Sequence, residues 1–294
     1  MTTTKGILCT AIAASALVGV QTVSATEVQV TVTHQGPLGG VFLTPVWVGF
    51  HNGSFDSYDG NTQASSELKS LAELGDASGI STNFLNNGTL APNPPVPTQT
   101  GNRIDGSVGG GPIGPNTAAS TTFNIDAGGD HRYFSYAAMV LPSSDYFVAN
   151  GGAQAHDLSS LANATPGTKV SFNIGHFSQS PVNDAGTELN DFATSPGNGL
   201  VGITTVGTPP VNAPDNNNLI RNVSDPYGDF LNASPANFDF TNVNFHDPVL
   251  YANGIATISL TVVPEPATAL VMGVGVFGLA TRRSQRKVLA TLAH

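Results

Sequence analysis

The sequence predicts a mostly β protein, an antiparallel β-sandwich with one or two short helices, placed between two apolar ends. Three observations lead to this fold class. Short runs alternate apolar and polar residues with period two, turn-rich segments separate these runs, and helical periodicity is clear in one segment. Several strands with few helices are typical of two packed antiparallel sheets.

The strands are predicted from alternation and from their turn-rich borders. Residues 27–33 read Glu-Val-Gln-Val-Thr-Val-Thr, which is the pattern of a half-buried strand. A second strand is expected over residues 40–50. Further strand-like runs follow at 120–125, 132–141, 169–174, 199–205 and 256–263.

One helix is predicted over residues 63–74, where four apolar side chains fall on one face and Gly75 stands at the C-cap position. These side chains are Ala64, Leu68, Leu71 and Ala72. Residues 86–114 are rich in Asn, Gly and Pro, and residues 212–218 are rich in Asn and Asp. We expect both segments to be loops.

The N-terminal 25 residues have the pattern of a signal peptide. Lys5 precedes an apolar run over residues 6–20, and Val23-Ser24-Ala25 is a small-residue cleavage pattern. A buried first helix is the alternative, but it requires polar residues at helical spacing, and residues 7–20 contain almost none. We therefore predict export after cleavage by signal peptidase.

The C-terminal end combines Pro264-Glu265-Pro266, an apolar run over residues 267–280, and Arg282 with Arg283. The prolines prevent backward extension of a helix, and cations are retained on the cytoplasmic side of a membrane. Fourteen apolar residues reach only about 21 Å as a helix, whereas the hydrocarbon core is about 30 Å thick. We therefore expect a short hydrophobic helix that anchors the chain transiently.

This C-terminal arrangement resembles the PEP-CTERM sorting signal, in which a Pro-Glu-Pro motif, a short hydrophobic helix and an arginine cluster are recognised and removed by an exosortase. The resemblance implies a Gram-negative, exopolysaccharide-producing source, a transient inner-membrane anchor, and release to the cell surface or extracellular matrix. An ordinary C-terminal anchor that is never cut is the alternative. In either case residues 26–263, the mature body, form one domain outside the cytoplasm and residues 264–294 form the sorting segment.

The composition of the mature body excludes several classes of function. The single cysteine, Cys9, lies in the predicted signal peptide, so the mature body has no disulfide and no thiolate chemistry. It retains five Lys and Arg residues against nineteen Asp and Glu residues, a net charge of about −14. Such a charge repels nucleic acids and anionic lipids, and it is compatible with divalent cations.

Three acidic residues are candidate metal ligands. Asp145 follows the predicted strand 132–141, while Asp184 and Glu188 flank Ala-Gly-Thr in a loop. Carboxylates four residues apart around a glycine suit a calcium loop, since Ca²⁺ binds six to eight oxygens. An acidic residue at a turn also serves as a local cap or Asx-turn, and spacing alone leaves both interpretations open.

Four segments resemble the spondin N-terminal domain, in the order of that family. They are Thr-Pro-Val-Trp-Val-Gly-Phe-His at 44–51, Ala-Ser at 64–65 with Leu-Ala-Glu-Leu-Gly at 71–75, Met-Val-Leu-Pro-Ser-Ser-Asp-Tyr-Phe at 139–147, and Asp-Ala-Gly-Thr-Glu at 184–188. The resemblance covers residues 27–199. It implies a C2-like β-sandwich of extracellular matrix proteins that binds calcium.

Carried over by position, the resemblance makes Asp145, Asp184 and Glu188 the calcium ligands. Glu188 stands where the family usually has aspartate, and Tyr146 stands where tryptophan is common. The cysteines of the animal members are missing, so their receptor and adhesion partners are not carried over.

We therefore expect a non-catalytic, calcium-binding surface or matrix module that presents loops to a polysaccharide or a surface protein. The alternative is an exported hydrolase that acts on glycans or esters. His51 with Asp56 and Asp59, or His131 beside Asp130, could contribute to such a site. The sequence has neither a zinc motif nor a nucleophile elbow.

Overall fold

A computed structural model describes residues 25–92, 101–188, 218–223 and 242–264. These residues form mainly short antiparallel strands, with two α-helices and a 3₁₀ turn at Ser159–Leu161. The elements are β1 (Thr26–His34), β2 (Phe42–Leu43), β3 (Val46–His51), α1 (Ser66–Leu74), α2 (Ser78–Leu85), β4 (Ile104–Val108), β5 (Ala118–Ile125), β6 (Tyr133–Leu141), β7 (Tyr146–Ala149), β8 (Lys169–Ile174), β9 (Asn183–Asp184), β10 (Arg221–Asn222) and β11 (Ala256–Val262).

The strands form two sheets. The smaller sheet has the order β5-β1-β11-β8, and the larger sheet has the order β10-β9-β7-β6-β3-β4, with β2 paired to β6. Every strand pair is antiparallel. The predicted mostly β, sandwich-like fold with one or two short helices is confirmed.

Two apolar clusters hold the layers together. The first lies between the sheets and includes Val30, Phe134 and Leu260. The second lies between the larger sheet and the helices and includes Trp47 and Phe84. Because both faces of the larger sheet are covered, all residues of β3 are buried and β6 is buried beyond its first residue.

The predicted strand 27–33 corresponds to β1, and the predicted helix corresponds to α1. Along β1, Val28, Val30 and Val32 are fully buried between more accessible polar residues, as the alternation indicated. Helix α1 begins after Ser65, whose hydroxyl accepts a hydrogen bond from the Leu68 N–H (3.2 Å). It ends at Gly75, whose φ of 68° is left-handed.

Three of the other predicted strands correspond to β5, β8 and β11, and residues 132–141 correspond to β6. The predicted strand 40–50 is divided, because β2 ends at Leu43 and β3 begins at Val46. Proline at position 45 has no N–H to donate to a strand ladder. The Leu43 N–H instead pairs with Ile113, and the Thr44 N–H pairs with Met139.

The prediction of a continuous loop over residues 86–114 was wrong. Strand β4 lies within this range and pairs with β3 from Val46↔Val108 to Phe50↔Ile104. The predicted signal helix, the C-terminal hydrophobic helix, the strand 199–205 and most of the loop 212–218 lie outside the described residues.

A buried arginine connects α2 to the loops beside it. Arg103 is 6% exposed. Its guanidinium donates to the carbonyl oxygens of Phe84 (2.8 Å), Gly88 (2.7 Å) and Ser54 (3.1 Å). It also lies 5.0 Å from the centre of the Phe84 ring. Burial lowers the pKa of Arg103 to about 10, so the side chain remains a cation at neutral pH.

Candidate metal centre

Asp145 occupies the short connection between β6 and β7. Ser143 shapes this connection, since its hydroxyl donates to the Val140 carbonyl (2.5 Å) and accepts from the Tyr146 N–H (3.0 Å). The turn leaves Asp145 fully buried. A buried carboxylate requires partners to offset the loss of hydration.

The carboxylate of Asp145 is hydrogen-bonded to the loop that contains the other two candidates. Its Oδ2 accepts from the Thr187 N–H (2.8 Å), the Glu188 N–H (2.9 Å) and the Thr187 hydroxyl (3.2 Å). The Ala185 N–H donates to the Asp145 carbonyl (3.1 Å). The structure thus places Asp145 directly against residues 185–188.

Asp184 ends the short strand β9 and lies opposite Tyr146 in the β7–β9 ladder. Its Oδ1 accepts from the Gly186 N–H (2.6 Å), which turns the chain back toward Asp145. Gly186 has φ +68°, and a Cβ at this position would lie 2.6 Å from the Leu219 carbonyl oxygen. Glycine is required here both by the backbone angle and by the close approach of residues 218–223.

The three candidate carboxylates share a buried environment. Asp145, Asp184 and Glu188 are 0%, 3% and 4% exposed. Burial, followed by the negative charge of Asp184, raises the pKa of Asp145, while the N–H groups of Glu188 and Thr187 act in the opposite direction. No lysine or arginine within the described ranges forms an ion pair with Asp145. A bound proton or cation would relieve this repulsion.

All three predicted ligands are therefore neighbours in the fold, on two adjoining connections. Among the residues that the structure describes, no three His, Cys, Asp or Glu side chains are arranged so that they could hold a metal ion. Asp145 directs Oδ2 to the 187–188 amides, and its Oδ1 lies 3.4 Å from the Ser144 hydroxyl. The available donors are oxygens, which is the donor type that suits Ca²⁺.

Two residues of this centre were not singled out from the sequence. Thr187 donates to Asp145 through both its N–H and its hydroxyl, and Leu219 contacts Gly186 through its backbone. A threonine directly after an Asx-turn, here residues 184–186, has no spacing of its own that marks it as a partner of Asp145. Leu219 is more than thirty positions away along the chain. The β9–β10 pairing and the backbone hydrogen bonds of Ile220 to Asn61 and Thr62 bring it close.

The histidines of the hydrolase alternative are buried and hydrogen-bonded. His51 Nδ1 accepts from the Gly53 N–H (3.0 Å), so its ring proton resides on Nε2, which donates to the Ser135 hydroxyl (3.0 Å). His131 Nδ1 likewise accepts from the Asp126 N–H (2.9 Å). Burial, and next the charge of Arg103, lower the pKa of His51 to about 3. In this arrangement His51 has no lone pair with which to remove a proton from Ser135.

Titration of Asp56 should make the free energy of unfolding depend on pH. Burial, and next the charge of Asp59, raise the pKa of Asp56 to about 6. The folded state therefore holds a proton that the unfolded state releases near pH 4. The protein should lose about 1–2 kcal/mol of stability, relative to Asp56→Asn, as the pH rises from 4 to 6.5. Urea unfolding of both proteins across this range measures the difference.

A constant difference between the two proteins from pH 4 to 6.5 would contradict a raised pKa at Asp56. Asp130→Asn is the matched control, because Asp130 is exposed. Its stability should follow that of the unmodified protein across the same range.

The fold and the candidate metal centre together define the class of protein. It is an antiparallel β-sandwich that is covered by helices on one side and has buried carboxylates at the β6–β7 connection and after β9. Residues 262–287 match the family model of the PEP-CTERM protein-sorting motif. A comparison with curated proteins found no match. The chain is thus an exported protein that is sorted to the cell surface by an exosortase. Among the residues described by the structure, no helix is long and apolar enough to cross a membrane.

Proposed function

We propose that this protein is a non-catalytic surface or matrix module that binds Ca²⁺ through Asp145, Asp184 and Glu188. The observation that carries the proposal is the burial of these carboxylates on two loops that Asp145 joins by hydrogen bonds to Thr187 and Glu188. A bound ion would balance their charge and fix both loops at one position.

The electrostatics of Asp145 support a cation in preference to a permanent structural carboxylate pair. Burial, and next the charge of Asp184, raise the pKa of Asp145 and so disfavour its ionised form. Calcium would offset this cost through oxygen donors of the two loops. The ion would supply charge neutralisation and loop rigidity, while the protein residues hold the loops in contact through the Thr187 amide and hydroxyl.

The resemblance to the spondin N-terminal domain supports the same assignment. Of the residues that carry this resemblance, Trp47 lies on β3 and Asp145 lies immediately before β7. We propose a bacterial spondin-type module whose source is a Gram-negative, exopolysaccharide-producing organism. Signal peptidase and exosortase are its processing enzymes. A matrix polysaccharide or a surface protein is its partner.

Calcium titration tests the proposal on the protein after export and processing in a host that carries an exosortase. Calorimetry should show saturable binding of Ca²⁺, and Asp184→Asn should abolish it. A ligand specific to the folded state stabilises that state by mass action. We expect the melting temperature to rise by about 5–10 °C when calcium is about a hundredfold above its Kd.

Asp130→Asn is the matched control for this titration, because it removes an exposed carboxylate from the turn before β6. It should bind calcium as the unmodified protein does. Absence of binding up to millimolar calcium would refute the proposed site, as would equal binding by Asp184→Asn.

A further inference from the structure

Exposed apolar side chains are concentrated at one end of the smaller sheet. The described residues include five large hydrophobic side chains that are exposed, and four of them lie at this end. Val249 is 84% exposed and Leu38 is 70% exposed. Exposed apolar side chains that are grouped at one place, unlike scattered ones, indicate an interaction site. We call this group the apolar tip: Leu38, Phe177, Val249 and Leu250.

The strand register explains why these residues converge. His34, Ala256 and Ile174 form one row across β1, β11 and β8. The three connecting segments beyond this row, residues 35–41, 175–182 and 242–255, therefore leave the sheet at the same end. Backbone hydrogen bonds hold them together, from the Gln35 N–H to the Ile255 carbonyl (2.8 Å) and from the Ile255 N–H to the Ile174 carbonyl (2.9 Å).

The tip is a built surface. The buried Tyr251 hydroxyl donates to the Asn242 carbonyl (2.7 Å) and accepts from the Val41 N–H (3.2 Å), which joins two of the three segments. The Asn242 side chain donates to the Leu38 carbonyl (2.8 Å). Asp247 Oδ1 accepts from the Val249 N–H (2.8 Å) and so fixes the turn that presents this side chain.

The apolar tip also differs from the rest of the surface in charge. Residues 35–41, 175–182 and 242–255 contain one carboxylate, Asp247, and no Lys or Arg. The mature body as a whole carries about −14. Two copies of such a chain repel each other across most of their surfaces. Repulsion is weakest where the tips meet, and apolar area is available there to be buried.

The position of the apolar tip in the fold is also compatible with contact between two copies of the chain. Strand β11 runs from Ala256, beside the tip, to Val262, about 20 Å away at the usual strand rise. The sorting motif begins at residue 262. The tip therefore lies at the opposite end of β11 from residue 262, so a tip-to-tip contact between two molecules leaves the first residues of the sorting motif outside the interface.

We propose that the apolar tip is a self-association surface, on which a second copy of this chain docks through the same residues. The contact is isologous, with the apolar tip of one copy facing the apolar tip of the other. Interfaces of this kind bury an apolar centre within a polar rim. The proposal is independent of calcium and is tested separately from it.

Sedimentation velocity of the exported and processed protein, over about 1–500 µM, measures this association. The unmodified protein should form dimers, and Leu38→Glu and Val249→Glu should each weaken dimerisation by at least about tenfold, since each places like charges at the interface. Leu85→Glu is the matched control, because Leu85 is 50% exposed on α2, away from the tip. It should dimerise as the unmodified protein does.

Thermal melts of all variants verify that they are folded, and Leu38→Gln repeats the test without an added charge. A monomer throughout the concentration range overturns the proposal. So does association that Leu38→Glu, Leu38→Gln and Val249→Glu leave unchanged. Flotation of monomers with neutral phosphatidylcholine vesicles, lost in Val249→Glu, would also overturn it and assign the tip to a lipid surface.

Discussion

Replacement of Arg103 by alanine should lower the free energy of unfolding by about 3–5 kcal/mol. The guanidinium is the hydrogen-bond donor to the buried carbonyl oxygens of Phe84, Gly88 and Ser54. Each acceptor that loses its donor without access to water costs about 1–3 kcal/mol. The loss of packing on the Phe84 ring adds to this cost. Urea unfolding followed by far-UV circular dichroism measures the change.

Arg132→Ala is the matched control for Arg103→Ala. Arg132 pairs with Asp157 at 2.6 Å, but its side chain is 47% exposed. Because exposed ion pairs are screened by water and contribute little to stability, this variant should retain nearly full stability. If the free energy of unfolding falls by similar amounts in the two arginine variants, the connection between α2 and its neighbouring loops does not depend on Arg103.

Gly186→Val is the substitution at the candidate metal centre with the largest expected effect. The backbone at Gly186 has φ +68°, and an added Cβ would approach the Leu219 carbonyl oxygen to 2.6 Å and the Leu219 nitrogen to 2.8 Å. A β-branched residue must therefore displace β10 or change the turn. We expect a loss of about 2–4 kcal/mol in urea unfolding, from backbone strain and overpacking together.

Gly110→Val provides the comparison, since a Cβ at Gly110 would meet no atom within 4 Å. It should change stability by less than about 1 kcal/mol. Proteolysis should separate the two variants further. Cleavage near residues 218–223 should become faster in Gly186→Val alone, because these residues are held against β9. Equal proteolysis rates would argue against the contact between Gly186 and Leu219.

The sequence predicts best the elements whose stabilisation is local or whose faces alternate clearly. The valines of β1 alternate with polar residues, and α1 has both a serine N-cap and a glycine C-cap. Such signals lie within a few residues of the element that they define. They were sufficient for the fold class.

The elements that were missed depend on distant partners. Strand β4 has the sequence Ile-Asp-Gly-Ser-Val, with two residues that disfavour strands, and it forms because β3 supplies its hydrogen-bond partners. Helix α2 contains Ser, Gly, Thr and Asn. It is stabilised by burial of Ile80 and Phe84 in the cluster around Trp47, which overrides its weak propensity.

The sequence was sufficient to name the three residues of the candidate metal centre, but it did not predict the directions of their carboxylates. The motif resemblance brought together Asp145, Asp184 and Glu188, and the structure places them on adjoining loops. The direction of the Asp145 carboxylate toward the amides of residues 187 and 188 depends on how β7 and β9 pair. No local pattern in the sequence specifies that pairing.

The central place of β11 in the smaller sheet has a consequence for the order of events in biosynthesis. This strand pairs with β1 on one side and β8 on the other, although it is the final strand before the sorting motif. The smaller sheet therefore cannot close until the last segment of the body has left the translocation channel. Contacts of such long sequence separation form slowly. The chain should thus cross the membrane unfolded and complete its sandwich only after residues 256–262 have crossed.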